Sequence, residues 1–333
     1  MYSYKVDYRT NSADARNSAV IVCLLAMLAL PVPVAYAAES PIPITPPGGT
    51  DTDQAFLPAP GAYGGFSVVP YNMNNHSYDS TGHVLPDAEG VKLDLRLYIP
   101  VFLYVYPFKI FGGSVGSTFV QPVETDDYSV AERFNRDAAG FGDAYTDLFY
   151  WTKNVGLVGA TPTPASISYG LSVAAGLALI IPDGNYNKNY PINIGNNTWV
   201  LDPNVAATYN SGPSWFGDNS QISARAFYGV PFRNSATDYL TGNIFDVDWS
   251  LTESFSSLRF GLAGFYQTQI TDDSAPGRIL VDGNKFSELA LGPIVQYFFP
   301  RSSVFIKVKY GDTVYHKNFT DEQFLTATIG FKF

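Results

Sequence analysis

The chain has 333 residues, a formal net charge of −10, and 15% charged against 15% aromatic residues. That is short of the roughly 25% charge of a soluble domain, and the acidic balance excludes a nucleic-acid partner. Mean hydropathy is near zero, which excludes a bundle of membrane helices and suits a barrel whose strands turn only alternate residues to lipid.

The apolar run Ala19 to Val34 follows Lys5, Arg9 and Arg16 and leads into Ala35-Tyr36-Ala37. Residues 1–37 therefore read as a cleaved secretory signal. Pro31 and Pro33 interrupt the run, which falls short of the roughly 20 apolar residues a spanning helix needs. It also holds Cys23, the only cysteine, so the remainder has no disulfide and no Cys-ligated metal. Residues 38–60 are rich in Pro and Gly without periodicity, which reads as a linker. Two roles fit it, a periplasmic tail or a plug tucked into a barrel lumen.

From Gly61 the pattern predicts twelve strands, near 61–72, 90–105, 108–121, 141–152, 166–180, 198–209, 221–231, 243–253, 257–270, 286–299, 303–315 and 324–333. Their lengths suit a tilted membrane span of about 9–11 residues with overhang. The stretch Leu97 to Phe111 resembles a buried helix, but Pro100 and Pro107 oppose one. Alternation from Val91 to Val105 instead predicts two strands joined at Pro107-Phe108. Short turns are expected at Pro107, Glu253–Ser256 and Pro300–Ser302, and long outer loops at 73–89, 122–140, 181–197, 232–242 and 271–285. The last strand puts Leu325, Ala327, Ile329, Phe331 and Phe333 on one face and Thr326, Thr328, Gly330 and Lys332 on the other. A period of two ending on an aromatic ring marks a lipid-facing strand with an interface girdle. The fold class is thus all-β, a transmembrane antiparallel barrel of about 12 strands spanning 61–333, in the outer membrane of a Gram-negative bacterium.

With the apolar register on lipid, the other register points into the lumen. That predicts a lining of Lys92, Asp94 and Arg96 on the second strand and Asp143 and Asp147 on the fourth. Strands six to nine add Asp202, Arg225, Asp246, Asp248 and Arg259, and the last three add Glu288, Lys307, Lys309 and Lys332. Tyr98, Phe102, Tyr104, Tyr106, Phe149, Phe227, Phe265 and Phe298 share this register. The charges read either as a salt-bridge lattice filling the barrel or as a polarised channel lining. The aromatics read either as packing or as a surface for a flat apolar ligand.

No catalytic, cofactor or metal site is expected. His76, His83 and His316 fall in outer loops, and adjacent His76 and Ser77 point apart, so no Ser-His pair forms. Asp272, Asp273 and Asp282 share a loop without the spacing of a calcium loop.

Several segments in order carry a family resemblance: Gly140-Phe141-Gly142-Asp143, Ile181 to Tyr186, Trp199 to Tyr209, Asp238 to Gly242, Gln267 to Asp273, Leu291-Gly292-Pro293 and Lys309-Tyr310-Gly311. Together they resemble the outer-membrane transporter-like family of the meta-pathway of phenol degradation. The resemblance implies a barrel for passive uptake of small hydrophobic or aromatic compounds, and assigns no binding residues. A general porin with an open lumen and a structural or surface-binding barrel remain as alternatives. The expected partners are outer-membrane lipid, the barrel-assembly machinery through Phe333, and a small hydrophobic or aromatic ligand.

Overall fold

The computed structural model describes residues 44–73, 76–86, 90–130, 134–156, 169–213, 216–277 and 279–333. The expected signal segment, residues 1–37, and residues 38–43 of the Pro-rich stretch lie outside them. Fourteen strand segments follow: β1 (Gly61–Met73), β2 (Val91–Ile110), β3 (Gly113–Val120), β4 (Val123–Val130), β5 (Phe134–Phe141), β6 (Ala144–Asn154) and β7 (Gly170–Ile181), then β8 (Val200–Asn210), β9 (Asn219–Pro231), β10 (Ile244–Phe255), β11 (Leu258–Gln269), β12 (Ser287–Phe298), β13 (Phe305–Lys317) and β14 (Gln323–Lys332). β4 continues β3 across Gln121-Pro122, and β6 continues β5 across Gly142-Asp143. The fourteen segments therefore make twelve staves of one antiparallel meander, closed where β14 pairs with β1. Closure leaves no lipid-exposed edge, the condition for a sheet to cross a bilayer. Among the described residues, no helix is long and apolar enough to cross a membrane.

Outside, large apolar side chains recur at every second position: Ile306, Val308 and Tyr310 on β13, Leu258, Phe260 and Leu262 on β11, Leu325 and Ile329 on β14. The intervening side chains turn inward and are less exposed. Short turns mark the periplasmic end, at 111–112 and 256–257, where both termini of the barrel also lie.

The strand count follows the sequence pattern, but two boundaries move. The predicted turn at Pro107-Phe108 sits instead at Phe111 and Gly112, both at positive φ, the geometry of a two-residue hairpin turn. Pro107 stays within β2 at a register irregularity between Val105 and Lys109, where its missing N–H breaks no ladder bond. The predicted outer loop 122–140 is largely the hairpin β4–β5, paired to the outer end of β2 over Val91–Tyr98.

β2 also corrects the predicted inward face. Leu93, Leu95 and Val105 are buried and face inward, while Tyr98, Phe102 and Tyr104 are exposed on the lipid side, with Lys92, Asp94 and Arg96 outward above them. Both registers between Leu97 and Phe108 are apolar, so alternation gave a period without a sign. The bulkier aromatics take the lipid face and the aliphatics the tighter interior. Lys92, Asp94 and Arg96 escape the cost of facing lipid by height. At about 3.3 Å per residue, the 20 residues of β2 reach about 65 Å. Tilted by about 40°, they stand roughly twice the ~25 Å apolar band.

A third correction lies on β6. A register shift between Asp147 and Phe149 turns both Leu148 and Phe149 outward, so Phe149 faces lipid and Tyr150 is the inward ring, 5% exposed. One extra residue in a bulge reverses every side chain beyond it.

Candidate functional site

The inner wall has a polar side and an apolar side. On the polar side each strand alternates small or charged groups inward: Asp202, Asn204 and Thr208 on β8, Gln221, Ser223 and Arg225 on β9, Asp246, Asp248 and Ser250 on β10. Arg259, Gln267, Glu288, Lys307 and Lys309 continue it on β11 to β13. These groups meet the chain's own N-terminal segment, residues 44–60.

That segment has no ladder to satisfy its backbone, and buried N–H and C=O groups must find partners. The wall supplies them. Gly48 N and Thr50 N donate to the two Asp248 carboxylate oxygens at 2.7 and 2.8 Å, and the Thr50 hydroxyl adds a third bond of 2.7 Å. Gly48 takes positive φ and lies so near Phe265 that a Cβ would stand 2.7 Å from its ring. Lys309 Nζ donates to Gly48 O at 2.5 Å. Further along, Gln54 N donates to Ser223 Oγ and Ala55 N to Thr208 Oγ1, both at 3.0 Å. The Tyr150 hydroxyl donates to Gln54 O, and Ser250 Oγ to Asp51 O at 2.8 Å.

Ion pairs reinforce these bonds. Lys307 Nζ lies 2.7 Å from Asp51, and Lys309 Nζ lies 3.5 Å from it. Burial alone would raise the Asp51 pKa, but the two ammonium groups outweigh it and hold the carboxyl well below the usual range. Asp53 accepts from Arg259 Nη1 at 2.5 Å and from Gln221 Nε2 at 2.7 Å. Leu57 and Ala55 complete the contact through an apolar cluster with Val105, Tyr150, Ala174 and Ala206. A separate pair, Arg225 to Asp147 at 2.6 Å, spans the wall itself, with the guanidinium over the Tyr150 and Phe227 rings.

The apolar side runs up β1 and β2. Leu97 and Ile99 pack against a buried cluster of Val69, Phe265, Ala290 and Phe324, with Tyr71 beside them. A depression of about 760 Å³ at the outer ends of β1, β2, β4 and β14 is lined by Pro70, Tyr71, Leu95, Asp126 and Phe324 among others.

Of the residues expected in the lumen, Asp147, Asp202, Arg225, Asp246, Asp248, Arg259, Glu288, Lys307 and Lys309 are placed inside, with Phe227, Phe265 and Phe298. Lys92, Asp94, Arg96, Tyr98, Phe102, Tyr104 and Phe149 are not. Lys332 is exposed, 5.6 Å from the Tyr63 ring. Asp143 serves an outer loop, accepting from Gly184 N at 3.0 Å and Asn196 N at 2.7 Å. Sequence reasoning missed Gln221, Ser223, Thr208 and Tyr150. The first two share the inward register of Arg225, so the polar alternation Asn219-x-Gln221-x-Ser223-x-Arg225 already marked them. Glu124 and Asp126 on β4 were also missed, since that stretch read as loop.

The loop acids and histidines have structural partners. Asp273 accepts from Tyr239, Gly242 N, Gln269 and Asn284. Asp272 pairs with Lys285 at 2.8 Å. Ser77 Oγ lies 2.7 Å from Thr320 Oγ1 rather than at a histidine.

In overall structure the chain is similar to the COG4313 outer membrane channel from Pseudomonas putida F1. The TM-score is 0.70 at 17% identity, covering 85% of this chain and 98% of that one. The translocator domain of the autotransporter NalP from Neisseria meningitidis gives a TM-score of 0.46 at 9% identity, over 85% and 92% of the two chains. Among curated proteins, none matches the chain. Residues 63–329, the whole barrel but for its first and last few residues, match the family described as "Putative MetA-pathway of phenol degradation", and the chain, an outer-membrane β-barrel, belongs to that family.

Proposed function

We propose that this barrel carries small hydrophobic or aromatic compounds passively across the outer membrane, performs no chemistry on them, and uses residues 44–60 as a plug. The observation that carries the reading is the apolar inner wall of Leu97, Ile99, Phe265 and Phe324. Apolar solute area gains about 25 cal/mol per Å² on leaving water for such a surface. The charged wall meanwhile holds the segment that keeps the lumen narrow. The family's description, a phenol-degradation pathway, supports aromatic solutes, and the Pseudomonas putida protein is itself named an outer membrane channel. Outer-membrane lipid surrounds the barrel. Phe333, 71% exposed at the C-terminus, is the proposed handle for the barrel-assembly machinery. The second reading, a filled structural barrel, is favoured by the same ion pairs and predicts no solute flux.

Uptake of labelled toluene into proteoliposomes separates them. Under the transport reading, Leu97→Asn lowers the rate several-fold and Tyr104→Ala, on the lipid face, leaves it unchanged. A rate equal to that of protein-free liposomes would sink the transport reading.

A further inference from the structure

The outer half of the lumen holds oxygen atoms for which the described residues provide no donor. β10, β11 and β12 bring Asp246, Gln267 and Glu288 to one level, with Gln267 opposite Asp246 on one side and Glu288 on the other. All three face inward, at 3%, 0% and 0% exposure. Among the described residues, nothing donates to Asp246 Oδ1, to Gln267 Oε1, or to either Glu288 carboxylate oxygen. The Gln267 amide nitrogen is committed to Thr45 Oγ1 at 2.5 Å, so its carbonyl is the end left over. Asp202, whose Oδ1 likewise has no donor among the described residues, interacts electrostatically with Asp246 from β8.

Such an arrangement is costly for a chain alone. A carboxylate removed from water without a donor costs several kcal/mol. A proton on Glu288 would let that acid donate to the Gln267 carbonyl, but would leave its second oxygen and Asp246 Oδ1 without a donor. The inward cations are engaged elsewhere: Arg225 on Asp147, Arg259 on Asp53, Lys307 and Lys309 on Asp51. What answers acceptor-only, hard oxygen atoms is a cation. Two carboxylates balance a double charge, and amide carbonyl and hydroxyl oxygens are ordinary further ligands of Ca²⁺. Among the described residues, no group of three or more His, Cys, Asp and Glu is placed to hold a metal, so the neutral amide has to serve as the third ligand.

We propose that Asp246, Gln267 and Glu288 form a binding site for a hard divalent cation, with Ca²⁺ as the fitting ion. Because Gln267 also holds Thr45, the ion fixes the outer end of the N-terminal segment.

Calorimetric titration of the refolded full-length protein in detergent with CaCl₂, then with MgCl₂, tests this. Saturable binding of one Ca²⁺ per chain is expected, weakened at least roughly tenfold in Glu288→Gln and in Asp246→Asn, since affinity follows ligand charge. Gln267→Glu, which adds a charge at constant shape, is expected to tighten it. Asp272→Asn, on an exposed loop, is expected to change nothing. Absence of saturable binding by the wild-type protein up to roughly 10 mM, above the weak extracellular range, overturns the proposal even if a variant fails to fold. So does binding that Asp272→Asn abolishes and Glu288→Gln and Asp246→Asn leave intact.

Discussion

Asp51 is where a single side chain does most to hold the segment in the lumen. Its carboxylate is 4% exposed and stands between two ammonium groups that have no other acid in reach of 4 Å among the described residues. Asp51→Asn leaves those cations buried without a counter-charge, a change that costs about 3–5 kcal/mol in comparable buried pairs. A lower thermal midpoint in detergent is the expected result. The acid dependence has a definite sign. The folded pKa lies below the unfolded value near 3.9, so the contribution is complete above about pH 4 and is lost as pH falls through the folded value. Protease digestion of residues 44–60 should therefore begin only below about pH 4.

Glu322, in the outer turn between β13 and β14, has the opposite sign. Burial raises its pKa to about 8, while one oxygen accepts from the Tyr71 hydroxyl. The folded state holds the proton more tightly than the unfolded chain, so stability falls as pH rises from about 4.5 toward 8. Glu322→Gln, neutral throughout, should give a flat melting temperature between pH 5 and about 9 where the wild-type value declines. A parallel decline in both proteins would show that another group is responsible.

At the scale of the element, β2 shows how far alternation can be read. Val91 to Val105 alternates cleanly, so the strand was legible, but its sign was not. On β8 to β13 one register is polar and the other apolar, and a charge at the bilayer midplane facing lipid costs roughly 2–4 kcal/mol, so the inward face is fixed locally. On β2 the charges Lys92, Asp94 and Arg96 stand above the apolar band and exert no such constraint. Cysteine substitution checks the assignment, since the only native cysteine, Cys23, falls within the expected signal. Phe102→Cys should react with a lipid-soluble maleimide in bilayers, and Val101→Cys should not. The reverse pattern would restore the aromatics to the lumen. β6 teaches the same lesson through its bulge: Leu148 is the extra, unpaired residue, so deleting it should restore plain alternation with Phe149 outward and Tyr150 still inward on Gln54 O.

For the whole molecule, the polar wall and the N-terminal segment are joined by complementary charges. Lys307, Lys309 and Arg259 face Asp51 and Asp53, and Asp248 faces backbone amides of the segment. Planar-bilayer recordings of the full-length protein should give little conductance. Combined substitution of Asp51 and Asp53 by Asn should raise it in steps as the segment leaves. Large, steady conductance of the wild-type protein would favour an open porin instead.

By itself the sequence determined the closed antiparallel barrel, its twelve staves and the polar register of β8 to β13. Period-two patterning and lipid solvation act residue by residue and need no distant partner. Only the tertiary structure decided the face of β2, the bulge at Leu148, the hairpin hidden in 122–140 and the contacts of residues 44–60. Each of these depends on groups far apart in the chain. The Pro-Gly segment carries no periodicity of its own, and its conformation comes from side chains on β6, β8, β9, β10, β11 and β13 that meet around it only once the barrel has closed.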